Sequence, residues 1–287
     1  MTLISSIPFN VRVAHLMSRL ALLALLLVLC LIVGSAPLRA QSNVTDANKT
    51  VTIGVIAHRG VDKAVKMWAP TVDYLNQAIP DQTFEMLPVL VQDLLSVVSA
   101  GKVDFVIVNP GAFVELETQF GIAPIATLVK RSGGKTSDRF GGVVFTRADN
   151  AAIRTIEDLR GRSFAAVSPK SFGGYQMAWR EFQAIGLDVA KDFSESLFTG
   201  FPQDKVVRAV LEGRVDAGNV RTGVLESMAA EGEINLSDIR ILLFPNVVKF
   251  PLSLSTRLYP EWSFARLRPT SMSLSGDVIT ALLKITP

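Results

Sequence analysis

The sequence predicts an α/β protein built from two similar lobes with a cleft between them. A block that repeats, a second block at the same offset, and strands alternating with helices carry that expectation. Leu95–Glu115 reads LSVVSAGKVDFVIVNPGAFVE and Val207–Ser227 reads VRAVLEGRVDAGNVRTGVLES. At an offset of 112 residues, Val98, Gly101, Val103, Asp104, Val108 and Gly111 coincide with Val210, Gly213, Val215, Asp216, Val220 and Gly223. Each copy reads as an amphipathic helix, a glycine stop, a short apolar strand and a second helix entered at Pro110 or Thr222. The same offset aligns the apolar strand VTIGVIA (51–57) with SFAAVSP (163–169). Helical patterns follow at 62–78 and 174–185, the first with a kink expected at Pro70.

This alternation favours parallel sheets covered by helices on both faces. Ligands of such sheets bind beyond the carboxyl ends of the strands, where loops lead into helix N-termini. Two ends per lobe are legible: His58-Arg59 and Asn109-Pro110 in one, Ser168 to Gly174 and Arg221-Thr222 in the other. Facing lobes bring all four into one cleft.

The segment Ser168-Pro169-Lys170-Ser171-Phe172-Gly173-Gly174-Tyr175 lies between an apolar strand and a helix containing Met177, Trp179, Phe182 and Ile185. Ser171 is a candidate cap, and the glycines allow backbone amides to approach a ligand. Those amides and the helix dipole attract an anion, to which Lys170 adds a full charge. Asn109-Pro110-Gly111 has the form of a helix start whose proline sacrifices no bond. Its counterpart carries Arg221, able to fork two hydrogen bonds to an oxyanion, and Thr222, a candidate cap. His58 and Arg59 complete the anion contacts, and Phe172, Tyr175 and Phe113 are candidate pocket walls.

The first forty residues read differently. Arg12 and Arg19 precede an apolar run of 14 residues from Leu20 to Val33, followed by Gly34-Ser35-Ala36 and Leu38-Arg39-Ala40-Gln41. That is the pattern of a cleaved export signal over 1–40, with 41–50 as an N-terminal extension. An uncleaved anchor is the alternative, because Leu38 is not the small residue preferred three before a cut. Cys30 follows Leu29 inside the apolar run and reads as leader, not as a lipidation site.

Cleavage removes three arginines and no acid, leaving 26 basic and 26 acidic residues of the original 29 and 26. The basic character of the full chain therefore says nothing of nucleic acid, and no nucleic-acid partner is expected. The remaining chain has no cysteine and a single histidine, His58. Thiol catalysis, disulfides and thiolate metal sites are excluded, and no metal or cofactor is expected. Gly134-Lys135-Thr136 lacks the first glycine of a phosphate loop, and no Gly-x-Ser-x-Gly elbow occurs. An enzymatic role is not expected.

The segments VIAHRG, VDFVIVNPG, FGGVVFTR, IEDLRG, SFGGYQMAWRE, VLEGRVDAGNVRTGVLE and STRLYPEW, in this order, resemble phosphonate-type periplasmic binding proteins. The similarity is strongest to the branch that forms the sensor domains of tetrathionate-sensing histidine kinases. It implies the type II periplasmic-binding fold, with lobe I at 51–142 plus 244–287 and lobe II at 143–243. The implied crossings lie near Gly141-Gly142-Val143 and Pro245-Asn246. It implies a small anionic ligand held by the strand-end residues already named. Phosphonate carriers of aminoalkyl ligands are similar but place an acid in the second lobe; here the comparable segment after Asp216 offers Arg221. A sulfur or phosphorus oxyanion without an amine is the ligand expected. The resemblance also implies a partner, either a separate membrane histidine kinase or an ABC permease. A kinase sensor continues into a membrane helix, whereas this sequence ends at Pro287 after an amphipathic pattern around Val278, Ile279, Leu282 and Leu283. A free-standing binding protein and a shortened sensor are both consistent with that.

Overall fold

The computed structural model describes residues 50–132 and 135–285; the leader expected at 1–40 and nearly all of the 41–50 extension lie outside them. In chain order the elements are β1 (Thr50–Ile56), α1 (Val61–Ala78), β2 (Thr83–Val89), α2 (Leu94–Ser99), β3 (Phe105–Val108), α3 (Pro110–Phe120) and β4 (Ala123–Thr127). A short ribbon follows, β5 (Lys130–Ser132) with β6 (Lys135–Ser137), then β7 (Arg139–Phe140), β8 (Gly142–Arg147) and β9 (Ser163–Ala166). A π-turn at Phe172–Gln176 opens into α4 (Met177–Ala184), followed by β10 (Glu195–Phe198), α5 (Asp204–Leu211), β11 (Ala217–Arg221) and α6 (Val224–Ala230). The chain ends with β12 (Ile239–Leu242), β13 (Tyr259–Pro260), β14 (Ser263–Arg266) and α7 (Met272–Leu282).

Two five-stranded sheets result, ordered β2-β1-β3-β14-β4 and β10-β9-β11-β8-β12. They share one plan: three parallel strands, then an antiparallel strand supplied by the segment arriving from the other sheet, then an edge strand. The repeat at 112 residues is this plan written in sequence, since it superposes β1 on β9, β2 on β10 and β3 on β11.

Each matched residue has a structural task. Val98, Val103 and Val108 are buried in the first core, and Val210, Val215 and Val220 in the second. Gly101 and Gly213 turn the chain with positive φ of 63° and 71° after their helices, a conformation that favours glycine. The carboxylate of Asp104 accepts from the Thr52 amide at 3.0 Å, and that of Asp216 from the Ser163 amide at 2.9 Å. Each aspartate thus clips the start of its central strand to the neighbouring one. The central strand FVIV of β3 is buried along its whole length, as expected of a parallel strand covered on both sides. α1 runs through Val61–Ala78 with Pro70 inside it.

Two connections join the sheets, and they pair with each other: in the β7–β13 ribbon Tyr259 faces Phe140 and Pro260 faces Arg139. Between β12 and β13 the chain stays on the second sheet. Ser255 donates its amide to Gly142 O at 2.9 Å, and its hydroxyl accepts from the Val144 amide at 2.8 Å. Pro245-Asn246 begins this stretch, and the paired return crossing is at Tyr259–Pro260. Lys135-Thr136 belongs to the β5–β6 ribbon, so no strand-to-helix phosphate loop forms there. Among the described residues no helix is long and apolar enough to cross a membrane.

Candidate anion-binding site

The loops at the strand ends close over a small buried cavity between the sheets. Its walls are Ile56, His58, Val91 and Asn109 from the first sheet's loops, Ser171, Gly173, Phe201, Gln203 and Arg221 from the second's, and Phe140 and Trp262 from the crossings. The offset of 112 pairs walls across it: Asn109 with Arg221, and Val91 with Gln203.

Arg221 sits at the end of β11 and is 3% exposed. Its Nη2 donates to Glu261 Oε1 at 2.7 Å, and its guanidinium lies 4.5 Å from the Phe140 ring centroid. Burial lowers its pKa from the usual arginine value, and the Glu261 carboxylate opposes that loss. Its Nε has no hydrogen-bond partner, nor does the indole Nε1 of Trp262, although both atoms are buried. Buried donors are ordinarily satisfied, and these two belong to residues that line one cavity of about 10 Å³, room for a single small acceptor.

Two cations also lie close to each other here. Lys130 lines a recess beside Thr222 and Glu261. The charge of Arg221 and then burial depress its ammonium to about 8. Two carboxylates, Glu261 and Glu226, offset the two cations in part; Glu261 is already engaged by Arg221 and by the Trp262 amide at 3.2 Å. His58 packs edge-on to Trp262 at 5.1 Å, and burial followed by the positive charge of Arg221 and Lys130 hold its pKa well below the ordinary value. It is neutral at neutral pH.

The sequence-derived candidates divide. His58, Asn109, Ser171, Gly173 and Arg221 meet at the cavity. Asn109 caps α3, its Oδ1 accepting from the Ala112 amide at 3.0 Å, and Pro110 takes the first helical position.

Arg59 has a different employment. Its Nε and Nη2 bind Asp204 at 3.0 and 2.8 Å, and Nη1 and Nη2 bind Glu231 at 2.6 and 2.9 Å. Two carboxylates saturate the fork that an anion would need. Ser171 makes no side-chain cap, because a π-turn follows it in which the Gln176 amide donates to Ser171 O. Thr222 does not cap α6; it bonds Gly141 through both backbone and hydroxyl, and Gly223 is the residue before the helix. Ser168 is half-buried and Lys170 exposed, and neither lines the cavity. Tyr175 packs edge-on to Phe198 and faces an outer groove with Trp179. Phe113 is half-buried against the first core. Phe172 inserts between the lobes, where a Cβ on Gly111 would come within 2.9 Å of its ring. Gly111 is therefore a close-approach residue, and Phe172 a plug set edge-on against Tyr259 at 5.1 Å.

Gly173 and Gly174 serve packing. A Cβ on Gly173 would lie 2.8 Å from Arg221 Cβ; one on Gly174 would lie 2.5 Å from Val167 Cγ2 and 2.6 Å from Ser171 Oγ. Gly174→Ala is expected to lower stability by about 1–3 kcal/mol through overpacking. A denaturant melt checks this, and an unchanged midpoint would show that the π-turn shifts freely.

Lys130, Phe140, Gln203, Glu261 and Trp262 were missed by sequence reasoning. The backbone N–H of Gln203 donates to His58 O across the cleft at 3.1 Å, and its side-chain Oε1 accepts from the Arg221 backbone N–H at 2.9 Å. Applying the offset to β2 would have found it opposite Val91. The others lie on or beside the crossings, outside the repeat.

Two sheets of one strand order, joined by a paired double crossing around a buried polar cavity, define a two-lobed binding protein of the type II periplasmic class. The family model for the periplasmic substrate-binding protein of phosphonate ABC transporters matches residues 53–287, and the chain belongs to that family. It is 37% identical over 234 residues to the tetrathionate sensor histidine kinase TtrS of Salmonella typhimurium, covering 81% of this chain and 39% of that one. The chain therefore spans well under half the length of that relative. Among solved structures it resembles PhnD1 from Prochlorococcus marinus in complex with methylphosphonate, with TM-score 0.65, 17% identity, and 82% and 84% of the two chains covered. It also resembles a binding-protein component of a phosphonate ABC transporter from Pseudomonas aeruginosa, with TM-score 0.62, 15% identity, and 80% and 72% covered. At these identities the structural likeness shows the fold alone.

Proposed function

We propose that this protein captures a small oxyanion of sulfur or phosphorus outside the cytoplasm, by closure of two lobes, and reports it to a signalling partner. The single observation that carries the reading is the pair of orphaned donors, Arg221 Nε and Trp262 Nε1, on one buried cavity. An anion's acceptors satisfy both and relieve the repulsion between Lys130 and Arg221. We place lobe I at the first sheet and lobe II at the second, hinged at β7 and β13. Residues 1–40 act as the export signal.

The relative's name, a tetrathionate sensor, favours sensing; the family description favours delivery to an ABC permease, which is the second reading. Glu261 is paired with Arg221, which argues against its receiving a ligand ammonium. Binding without turnover fits His58, which is neutral and packed on Trp262.

A thermal-shift panel of tetrathionate, thiosulfate, sulfate, phosphate, methylphosphonate and 2-aminoethylphosphonate tests the class. A saturable rise with one amine-free anion is expected. Tightest binding by 2-aminoethylphosphonate would refute the amine-free ligand, and a flat panel from folded protein would refute the oxyanion. Trp262→Phe keeps the ring against His58 and removes only the N–H donor. A loss of about tenfold in affinity is expected for a hydrogen bond to a charged acceptor. Titration calorimetry reads it, and unchanged affinity would remove the indole from the site.

A further inference from the structure

We infer that Arg59 and Lys63 form, with Asp204, Glu231 and Glu233, an electrostatic clasp that holds the lobes together without ligand. The two cations come from the loop after β1 and the first turn of α1. The three carboxylates come from the start of α5 and from the end of α6 and just beyond it. Beyond the Arg59 bonds already given, Lys63 Nζ reaches Asp204 at 2.9 Å, Glu231 at 2.6 Å and Glu233 at 2.9 Å. Arg208 pairs with Glu233 from the carboxylate side at 2.5 Å, so three cations meet three anions.

Isolated surface pairs contribute little, but this cluster has a buried centre: the side chains of Arg59 and Asp204 are 5% and 6% exposed. Their bidentate geometry is the strong form of the interaction. Hydrogen bonds from Arg59 and Lys63 bring Glu231 down to about 2, so that carboxylate stays charged throughout the neutral range.

None of the five residues lines the anion cavity. The clasp therefore favours closure whether or not the cavity is filled, and a ligand adds to an equilibrium already biased toward the closed form. Since a ligand shifts an equilibrium only by its differential affinity for two states, the clasp sets how much conformational change the ligand can produce. The inference rests on the two-lobe reading but not on any ligand.

Small-angle X-ray scattering of the purified protein, in a zwitterionic buffer free of sulfate, phosphate and phosphonate, tests it. Wild type is expected to scatter as the closed, two-lobed form described above. Lys63→Glu, which turns one cation of the network into a repelling anion, is expected to shift the pair-distance distribution to longer distances with unchanged circular dichroism. Lys63→Gln combined with Glu231→Gln removes one exposed charge of each sign, leaves the buried Arg59–Asp204 pair and is expected to give a smaller shift. An open wild type in this buffer, or folded variants that scatter as wild type does, would overturn the clasp. Anion binding plays no part in this readout, so failure of the ligand assignment would leave the result interpretable.

Discussion

Arg221→Ala is expected to weaken anion binding by about ten- to a hundredfold, the size of one charged hydrogen bond. It also strands Glu261, a carboxylate 2% exposed, without its partner. Breaking one half of a buried pair costs about 3–5 kcal/mol, so the single variant should melt early as well as bind poorly. Arg221→Ala combined with Glu261→Gln removes the stranded charge. This double variant should regain most of the lost melting temperature without regaining affinity. Recovery of affinity in the double variant would mean that Arg221 serves only to neutralise Glu261, and the site would then have to be built on Lys130 and Trp262 alone.

Raising the pH through about 8 is the second large effect. Lys130 is held there by the neighbouring charge of Arg221 and then by burial. An anion bound beside it favours the protonated form, so binding takes up a proton as the free group begins to lose it. Affinity for sulfate or tetrathionate should be flat below pH 8 and fall by up to about tenfold per pH unit above it. At pH 8 the calorimetric enthalpy should vary with the ionisation enthalpy of the buffer, reporting proton uptake. Lys130→Gln should bind more weakly at pH 7 and abolish the slope. A slope that survives the substitution would assign the proton to another group.

The skeleton of the fold was legible because it is written in short-range pattern. Val98, Gly101, Val103 and Asp104 specify a helix, its left-handed stop, a core contact and a strand clip within seven residues, and the same task recurs at 210–216. Strand ends were legible for the same reason, which is why His58, Asn109 and Arg221 were placed at the cleft. Side-chain partners at those ends were not. Arg59 pairs with Asp204 and Glu231, 145 and 172 residues away, and nothing in the local sequence announces carboxylates across the cleft. Ser171 and Thr222 have the residue types of caps, but a π-turn and the crossing at Gly141 claim their neighbourhoods. The glycine pair at 173–174 reads equally well as an open anion nest or as tight packing against Arg221 and Val167; only the distances decide for packing. Trp262 and Glu261 belong to a return crossing with no counterpart in the repeat.

A crystal structure with a bound member of the anion panel tests the central claim most directly. One acceptor oxygen of the ligand should lie within hydrogen-bond distance of Arg221 Nε and another, or the same one, within reach of Trp262 Nε1, with the Lys130 ammonium on the ligand's flank. An anion seated elsewhere, with both donors still unpaired or bonded only to water, would contradict it.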